Sequence, residues 1–233
     1  MPSILITGAS RGFGRELLKL YLKNDWSVFP LIRYGDSILE IVSKFPSSCF
    51  PIEADITSDL VYSHIEKVVK KNTNSLDVLI NNAGNIRKNR GFINAAENDL
   101  IDLFNVHCVG AFRCTKAALP FLQKSQNPVI INITSRWGSI SRTASGQGNT
   151  IYSYNIAKCA QNMLTACLHQ EFKEQNFRVF AVHPGKLLTS VAAHDADTQP
   201  EIAAAKLYDW IKNLKKNQEC RLYDLMGGST IDW

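Results

Sequence analysis

The sequence predicts an α/β protein built on a single Rossmann-type, doubly wound parallel sheet, with about seven strands in the order 3-2-1-4-5-6-7 and helices on both faces. Short, continuously apolar runs alternate with segments whose apolar residues recur at helical spacing. Strands that are apolar throughout, rather than on every second residue, imply a sheet covered on both faces, the parallel arrangement with right-handed crossovers. The first run, Ile4-Leu5-Ile6-Thr7, also leads through Gly8, Gly12 and Gly14 into the helical pattern Arg15 to Leu22, a strand, turn and helix in succession.

Taken in order, Ser27 to Ile32 reads as the second strand, although Pro30 has no N–H to give a sheet ladder. Ser37 to Lys44 reads as a short helix, Cys49 to Asp55 as strand three, and Thr57/Ser58 as the cap of a helix reaching about Lys71. Leu76 to Ile80 is strand four and ends in Asn81-Asn82-Ala83-Gly84. After a basic loop (Arg87, Lys88, Arg90), one long helix is expected from about Ala95 to Gln123, with Leu100, Leu103, Phe104, His107, Ala111, Cys114, Ala118 and Phe121 near one face. Val129 to Ile133 is strand five. A Gly/Ser-rich loop, Ser135 to Thr150, leads to a second long helix from about Tyr152 to Gln175, expected to bury Ala160, Met163, Leu164, Cys167 and Leu168. Arg178 to Val182 is strand six. Residues 186–216 read as a substrate-covering segment containing a helix that starts at Thr198-Gln199-Pro200 and runs through Trp210 and Leu214. No repeat or linker divides the 233 residues, so residues 1–233 are read as one domain.

Composition narrows the function classes. A hydrophobic content of 45% and a charged content of 20% are ordinary for a folded soluble protein. No apolar stretch reaches the roughly 18 residues of a membrane span. The glycine turn comes too early for a cleaved signal peptide, so a cytoplasmic chain is expected. Six cysteines without metal or C-x-x-C spacing read as buried free thiols, and no metal site is expected. A net charge of +5 suits an anionic cofactor or substrate, but no basic stripe interleaved with aromatics points to nucleic acid.

Open α/β sheets bind ligands beyond the carboxyl ends of their strands. The glycine turn, Asp55, Asn81 to Gly84, Ser135 and His183-Pro184-Gly185 all fall there. Glycines let an anion approach the backbone, and the helix that follows offers free N–H groups and the positive end of its dipole. Tyr154 and Lys158 stand four residues apart on one helix face, where an ammonium would favour the phenolate. His183 reads as structural, His107 as a core histidine, and the basic loop as solvated or as an attractor for an acidic substrate.

These motifs, in this order, resemble the short-chain dehydrogenase/reductase family from Ile4 to about Thr189. The closing stretch Tyr223 to Trp233 is similar to the subgroup of C-factor and the small carbonyl reductases. The resemblance implies a catalytic tetrad of Asn105, Ser135, Tyr154 and Lys158. It also implies a cofactor site made of Gly8, Ser10, Arg11, Gly12, Phe13, Gly14, Asp55, Ile56, Asn82, Ala83, Gly84, Tyr154, Lys158, Pro184, Gly185 and Thr189. Ser135 and Tyr154 are 19 positions apart, more than is usual in the family, so an enlarged loop is expected beside the site. Lys186-Leu187-Leu188 also departs from the more aromatic sequence common after Pro-Gly.

The implied reaction is reduction of a carbonyl to an alcohol, or its reverse. Tyr154 acts as proton donor, Ser135 positions the substrate oxygen, Lys158 holds the nicotinamide ribose and lowers the phenol pKa, and Asn105 supports a relay water. An acid at the end of strand two would suit the ribose of NAD. Arg33 stands there with Arg11 nearby, which favours the extra phosphate of NADP(H) over NAD(H). The partners implied are a small-molecule carbonyl or alcohol substrate and a second copy in a homodimer or homotetramer, with no nucleic acid. A 3-oxoacyl thioester reductase and a cofactor-binding signalling protein remain alternative readings.

Overall fold

The computed structural model describes residues 1–87, 89–189 and 195–233. From the amino terminus the elements are β1 (Ser3–Thr7), α1 (Gly12–Lys23), β2 (Ser27–Ile32), α2 (Leu39–Lys44), β3 (Ile52–Glu53), α3 (Val61–Asn72) and β4 (Val78–Asn81). They continue with α4 (Glu97–Phe104), α5 (Gly110–Leu122), β5 (Val129–Ile133), α6 (Ile140–Ala144), α7 (Tyr152–Phe172), β6 (Arg178–His183), α8 (Pro200–Lys212), β7 (Leu222–Asp224) and β8 (Ser229–Ile231).

The strands form one sheet in the order β3-β2-β1-β4-β5-β6-β7-β8. Its ladders are parallel except the last, where β7 and β8 make an antiparallel hairpin, so the sheet has eight strands rather than about seven. Successive side chains of β1 serve opposite faces. Ile4 and Ile6 join a core with Phe13, Leu17 and Leu18 of α1 and Ala203, Ala204 and Leu207 of α8. Leu5 joins the core on the other face with Val61 and Ile65 of α3, Cys114 and Ala118 of α5, and Leu168 and Phe172 of α7.

Pro30 explains why strand three is shorter than expected. Even-numbered residues of β2 face β3: Val28 donates to Ser48 O and accepts from Phe50 N, and Ile32 accepts from Ala54 N. Pro30 therefore brings its missing N–H to this ladder, opposite a segment that itself contains Pro51. The ladder survives as an isolated bridge at Cys49 and the two residues of β3.

The two long helices also differ from expectation. The first is broken into α4 and α5 by a π-turn over Asn105–Val109, whose extra residue re-aims the buried face through Leu103, His107, Ala111, Cys114 and Ala118. Phe104 is left 41% exposed and Leu100 partly exposed. In α7 Leu168 is buried as expected, with Ala157 and Phe172, but the rest of the buried face is polar (Ser153, Lys158, Gln161, Asn162 and Thr165), whereas Met163 (65% exposed) and Cys167 face outward and Ala160 and Leu164 are only partly covered. All six cysteines are free, but only Cys49 and Cys114 are buried.

Candidate active site

Six strand ends and the starts of α1 and α7 surround a cavity of about 900 Å3. Gly8, Ser10, Arg11, Gly12, Phe13, Gly14, Arg33, Asp55, Ile56, Asn82, Ala83 and Gly84 line one half, and Asn105, Ser135, Tyr154, Lys158, Pro184, Gly185 and Thr189 line the other.

The glycine turn is shaped for close approach. Gly8 has φ +68°, and a Cβ there would lie 2.7 Å from Ala83 Cα. Arg11 precedes α1 in extended conformation and its side chain makes no cap, so the first N–H groups of the helix face the cavity uncapped by it. The turn is braced from β4. Thr7 Oγ1 accepts from the backbone N–H of both Asn82 and Ala83, each at 2.9 Å. Asn82 Nδ2 donates back to Thr7 O (3.0 Å) and Gly8 O (3.2 Å). Below it, Asn81 Nδ2 donates to Thr115 Oγ1 (3.0 Å) and Asn132 Oδ1 (2.8 Å), and Asn132 Nδ2 to Thr165 Oγ1 (2.9 Å). This buried polar chain ties β4 to β5, α5 and α7. Asp55, at the end of β3, accepts from Thr57 N (2.8 Å) and Thr57 Oγ1 (2.7 Å). Burial would raise its pKa, but the two Thr57 bonds and the Arg33 charge outweigh it and the net shift is downward.

On the other half, Ser135 follows β5 and its Oγ accepts from Trp137 N at 3.2 Å, which starts a 3-10 turn over Arg136–Gly138. Burial pushes the Tyr154 phenol up to about 12, against a hydrogen bond from Ser135 that acts the other way. Burial also brings the Lys158 amine down to about 7. Its Nζ lies 5.7 Å from the Tyr154 ring centroid and donates to Ile133 O (2.7 Å) and Gln161 Oε1 (2.9 Å). Desolvation by burial is the largest cause of both shifts.

Asn105 opens the π-turn and lines the cavity, its Oδ1 accepting from Arg113 Nη1 at 2.8 Å, and Arg113 in turn pairs with Asp59 at 2.9 Å. The residue brought against the tyrosine is His107. Its ring stands edge-on to Tyr154 with centroids 5.5 Å apart, and its Nε2 lies 2.7 Å from Asn85 O. It closes on Gly84, where a Cβ would meet His107 Cε1 at 2.4 Å. Burial, aided by the Lys158 charge, holds this histidine well below its usual pKa and therefore neutral.

With this arrangement in view, the family model for short chain dehydrogenases matches residues 2–200. The chain belongs to the short chain dehydrogenase family. It is 30% identical over 196 residues to a 3-oxoacyl-[acyl-carrier-protein] reductase FabG of Staphylococcus aureus, spanning 81% of this chain and 76% of that one. The carbonyl reductase Sniffer of Drosophila melanogaster superposes with a TM-score of 0.87 at 28% identity, covering 100% of both chains. An NADPH-bound carbonyl reductase from chicken fatty liver shares the fold with a TM-score of 0.91 at 24% identity, covering 100% of this chain and 99% of that one.

Two features of this short chain dehydrogenase bear on its substrate side. The enlarged loop between Ser135 and Tyr154 holds α6 and is fastened to the end of the sheet by Ser139 Oγ donating to Asp232 O (2.5 Å) and Ser141 N to Trp233 O (3.1 Å). Of the segment 186–216 read as a cover, α8 is a core helix, and Lys186, Leu187, Thr189 and Asp195 line the cavity, with Lys186 paired to Asp195 at 2.9 Å. Residues 190–194 of that segment, and Lys88 of the basic loop, lie outside the described residues. His107, Trp137 and Gln161 are the site residues that motif reading misses. Only His107 carried a signal, a histidine on an otherwise apolar helix face.

Proposed function

We propose that this chain is an NADP-dependent reductase that converts a carbonyl to an alcohol, or the reverse, with Tyr154 as general acid and base. The observation that carries the reading is the convergence of Ser135, Tyr154 and Lys158 on one cavity whose other half is a glycine cradle flanked by Arg11 and Arg33. The cradle fits a dinucleotide: uncapped helix N–H groups and a turn that excludes a Cβ suit a diphosphate. Arg11 and Arg33, both exposed on the rim, suit an additional phosphate on the ribose. Gly8 to Gly14, Arg11, Arg33, Asp55, Ile56 and Asn82 to Gly84 would hold the adenosine and diphosphate end, and Lys158, Pro184, Gly185 and Thr189 the nicotinamide end.

When bound, NADPH supplies the hydride. Ser135 and Tyr154 orient the carbonyl oxygen, and Tyr154 gives it a proton. A phenol kept protonated by burial is in the correct form to donate across the physiological range. Lys158 and the neutral His107 lie beside it, so no fixed anion opposes the negative charge that develops on the substrate oxygen. The similarity to the Staphylococcus aureus protein supports a second reading, a 3-oxoacyl thioester reductase.

The same reading includes self-association. α4, α5 and α7 present Phe104, Phe112, Ile156 and Met163, each more than 40% exposed, as an apolar face suited to a second copy in a homodimer or homotetramer. Among the described residues no helix is long and apolar enough to cross a membrane. Six free cysteines support a reducing, cytoplasmic compartment.

The test is NADPH oxidation over aldehydes, ketones, quinones and acyl thioesters. Turnover with simple carbonyls supports the first reading, and turnover with acyl thioesters alone supports the second. NADPH binding without oxidation across the panel refutes both.

A further inference from the structure

The substrate half of the cavity holds a cation that carbonyl reduction leaves unused. Arg136 directly follows Ser135, is half-buried and lines the cavity. On the facing loop Arg87 is paired with Asp99 at 3.1 Å and Asp102 at 3.8 Å. Arg136 O accepts from Ser139 N at 3.3 Å, but the Arg136 side chain has no hydrogen bond or ion pair among the described residues. His183 is buried, lines the same cavity, and its Nδ1 has no hydrogen-bond partner. The charges of Arg136, Arg142 and Lys158 all act on His183, and Arg142 Nε is likewise buried without a partner. Among the described residues Asp224 is the carboxylate that acts on His183, and its Oδ1 already accepts from Gly227 N at 2.9 Å.

Desolvating a guanidinium without a counter-ion is costly, and so is leaving a buried ring nitrogen unpaired. A single anionic group bound here relieves both. The neighbouring wall is otherwise aromatic and aliphatic, formed by Trp137, Ile151 and Leu187, which suits a flat or apolar body. Arg136 and Ser135 line the same cavity, so a substrate that spans both presents an anionic group to one and an oxygen to the other.

We propose that Arg136, backed by His183, is the carboxylate-recognition element of the substrate pocket, and that the preferred substrates are oxo acids with the carboxylate close to the reacting carbonyl. This rests on the carbonyl-reductase reading above. Arginine suits the task because its planar fork matches a carboxylate in two hydrogen bonds.

The experiment compares 2-oxo-2-phenylacetate with its methyl ester under NADPH, reading kcat and KM for the wild type, Arg136→Gln and Arg136→Lys. The wild type favours the acid in kcat/KM by about tenfold or more. Arg136→Gln removes that preference through KM, and Arg136→Lys restores part of it. Benzoate competes with the ester in the wild type, a readout that needs no variant and stands even if a variant fails to fold. An acid-to-ester ratio unchanged by Arg136→Gln, a wild type that prefers the ester, or ester reduction indifferent to benzoate overturns the proposal while leaving the reductase reading intact. Absence of NADPH oxidation with any carbonyl overturns that reading, and this proposal with it.

Discussion

Thr7→Val tests whether the cofactor cradle is held by one buried hydroxyl. Thr7 is 2% exposed, and its Oγ1 accepts the backbone N–H of both Asn82 and Ala83 at 2.9 Å. Valine keeps the shape and the β-branch but turns a methyl toward both donors. Asn82 N–H also donates to Ile80 O at 3.1 Å, so Ala83 N–H is the donor left unpaired, at a cost of about 1–3 kcal/mol. For a chain of this size 1 kcal/mol lowers Tm by about 2–4 °C, which places the drop at roughly 2–12 °C by calorimetry. Thr7→Ser, which keeps the hydroxyl and loses a methyl, should cost less than half as much. NADPH affinity, followed by nicotinamide fluorescence, should fall with Thr7→Val because the Asn82 to Gly84 segment is the opposite wall of the glycine turn. A Thr7→Val protein that melts within 2 °C of wild type would show that the brace does not carry the load assigned to it.

Three further outcomes follow from the same geometry. Burial lowers the Lys158 amine from its ordinary value to about 7, so between pH 7 and about 10 the unfolded chain binds the proton and the folded chain does not; stability contributed at this site therefore rises with pH. Lys158→Met should melt above wild type at pH 7 with a gap that narrows toward pH 10, and a gap that widens contradicts the burial argument. His107→Ala removes both the edge contact to Tyr154 and the bond to Asn85 O, and kcat should fall about ten- to a hundredfold, with His107→Gln losing less; a kcat within twofold of wild type removes His107 from the site. Arg33→Asp should move cofactor preference from NADPH toward NADH, and an unchanged ratio of kcat/KM values for the two would rule out Arg33 as the phosphate reader.

Strand order and the location of the cavity are readable from the chain because continuous apolar runs and a glycine turn leave few parallel topologies open. Other features escape because a different force decides them. A π-turn adds one residue to a helix without altering its apolar spacing, so the break between α4 and α5 is not visible in the sequence, and His107, read as a core histidine, also stands beside Tyr154. The buried face of α7 keeps Leu168 but is largely polar elsewhere, because Lys158, Asn162 and Thr165 find buried partners in Ile133 O, Gly138 O and Gln161 O. Pro30 is tolerated in β2 because the ladder it would serve is broken at the partner strand. The three-residue strands of the β7–β8 hairpin are too short for periodicity to show.

The most direct measurement of the central claim is NADPH-dependent carbonyl reduction by wild type and Tyr154→Phe side by side. Removing the phenol hydroxyl takes away the proton donor, so turnover should fall by about 10²–10⁴-fold while NADPH still binds. A Tyr154→Phe protein that reduces the same carbonyl within tenfold of the wild-type rate contradicts the assignment of Tyr154 as the acid.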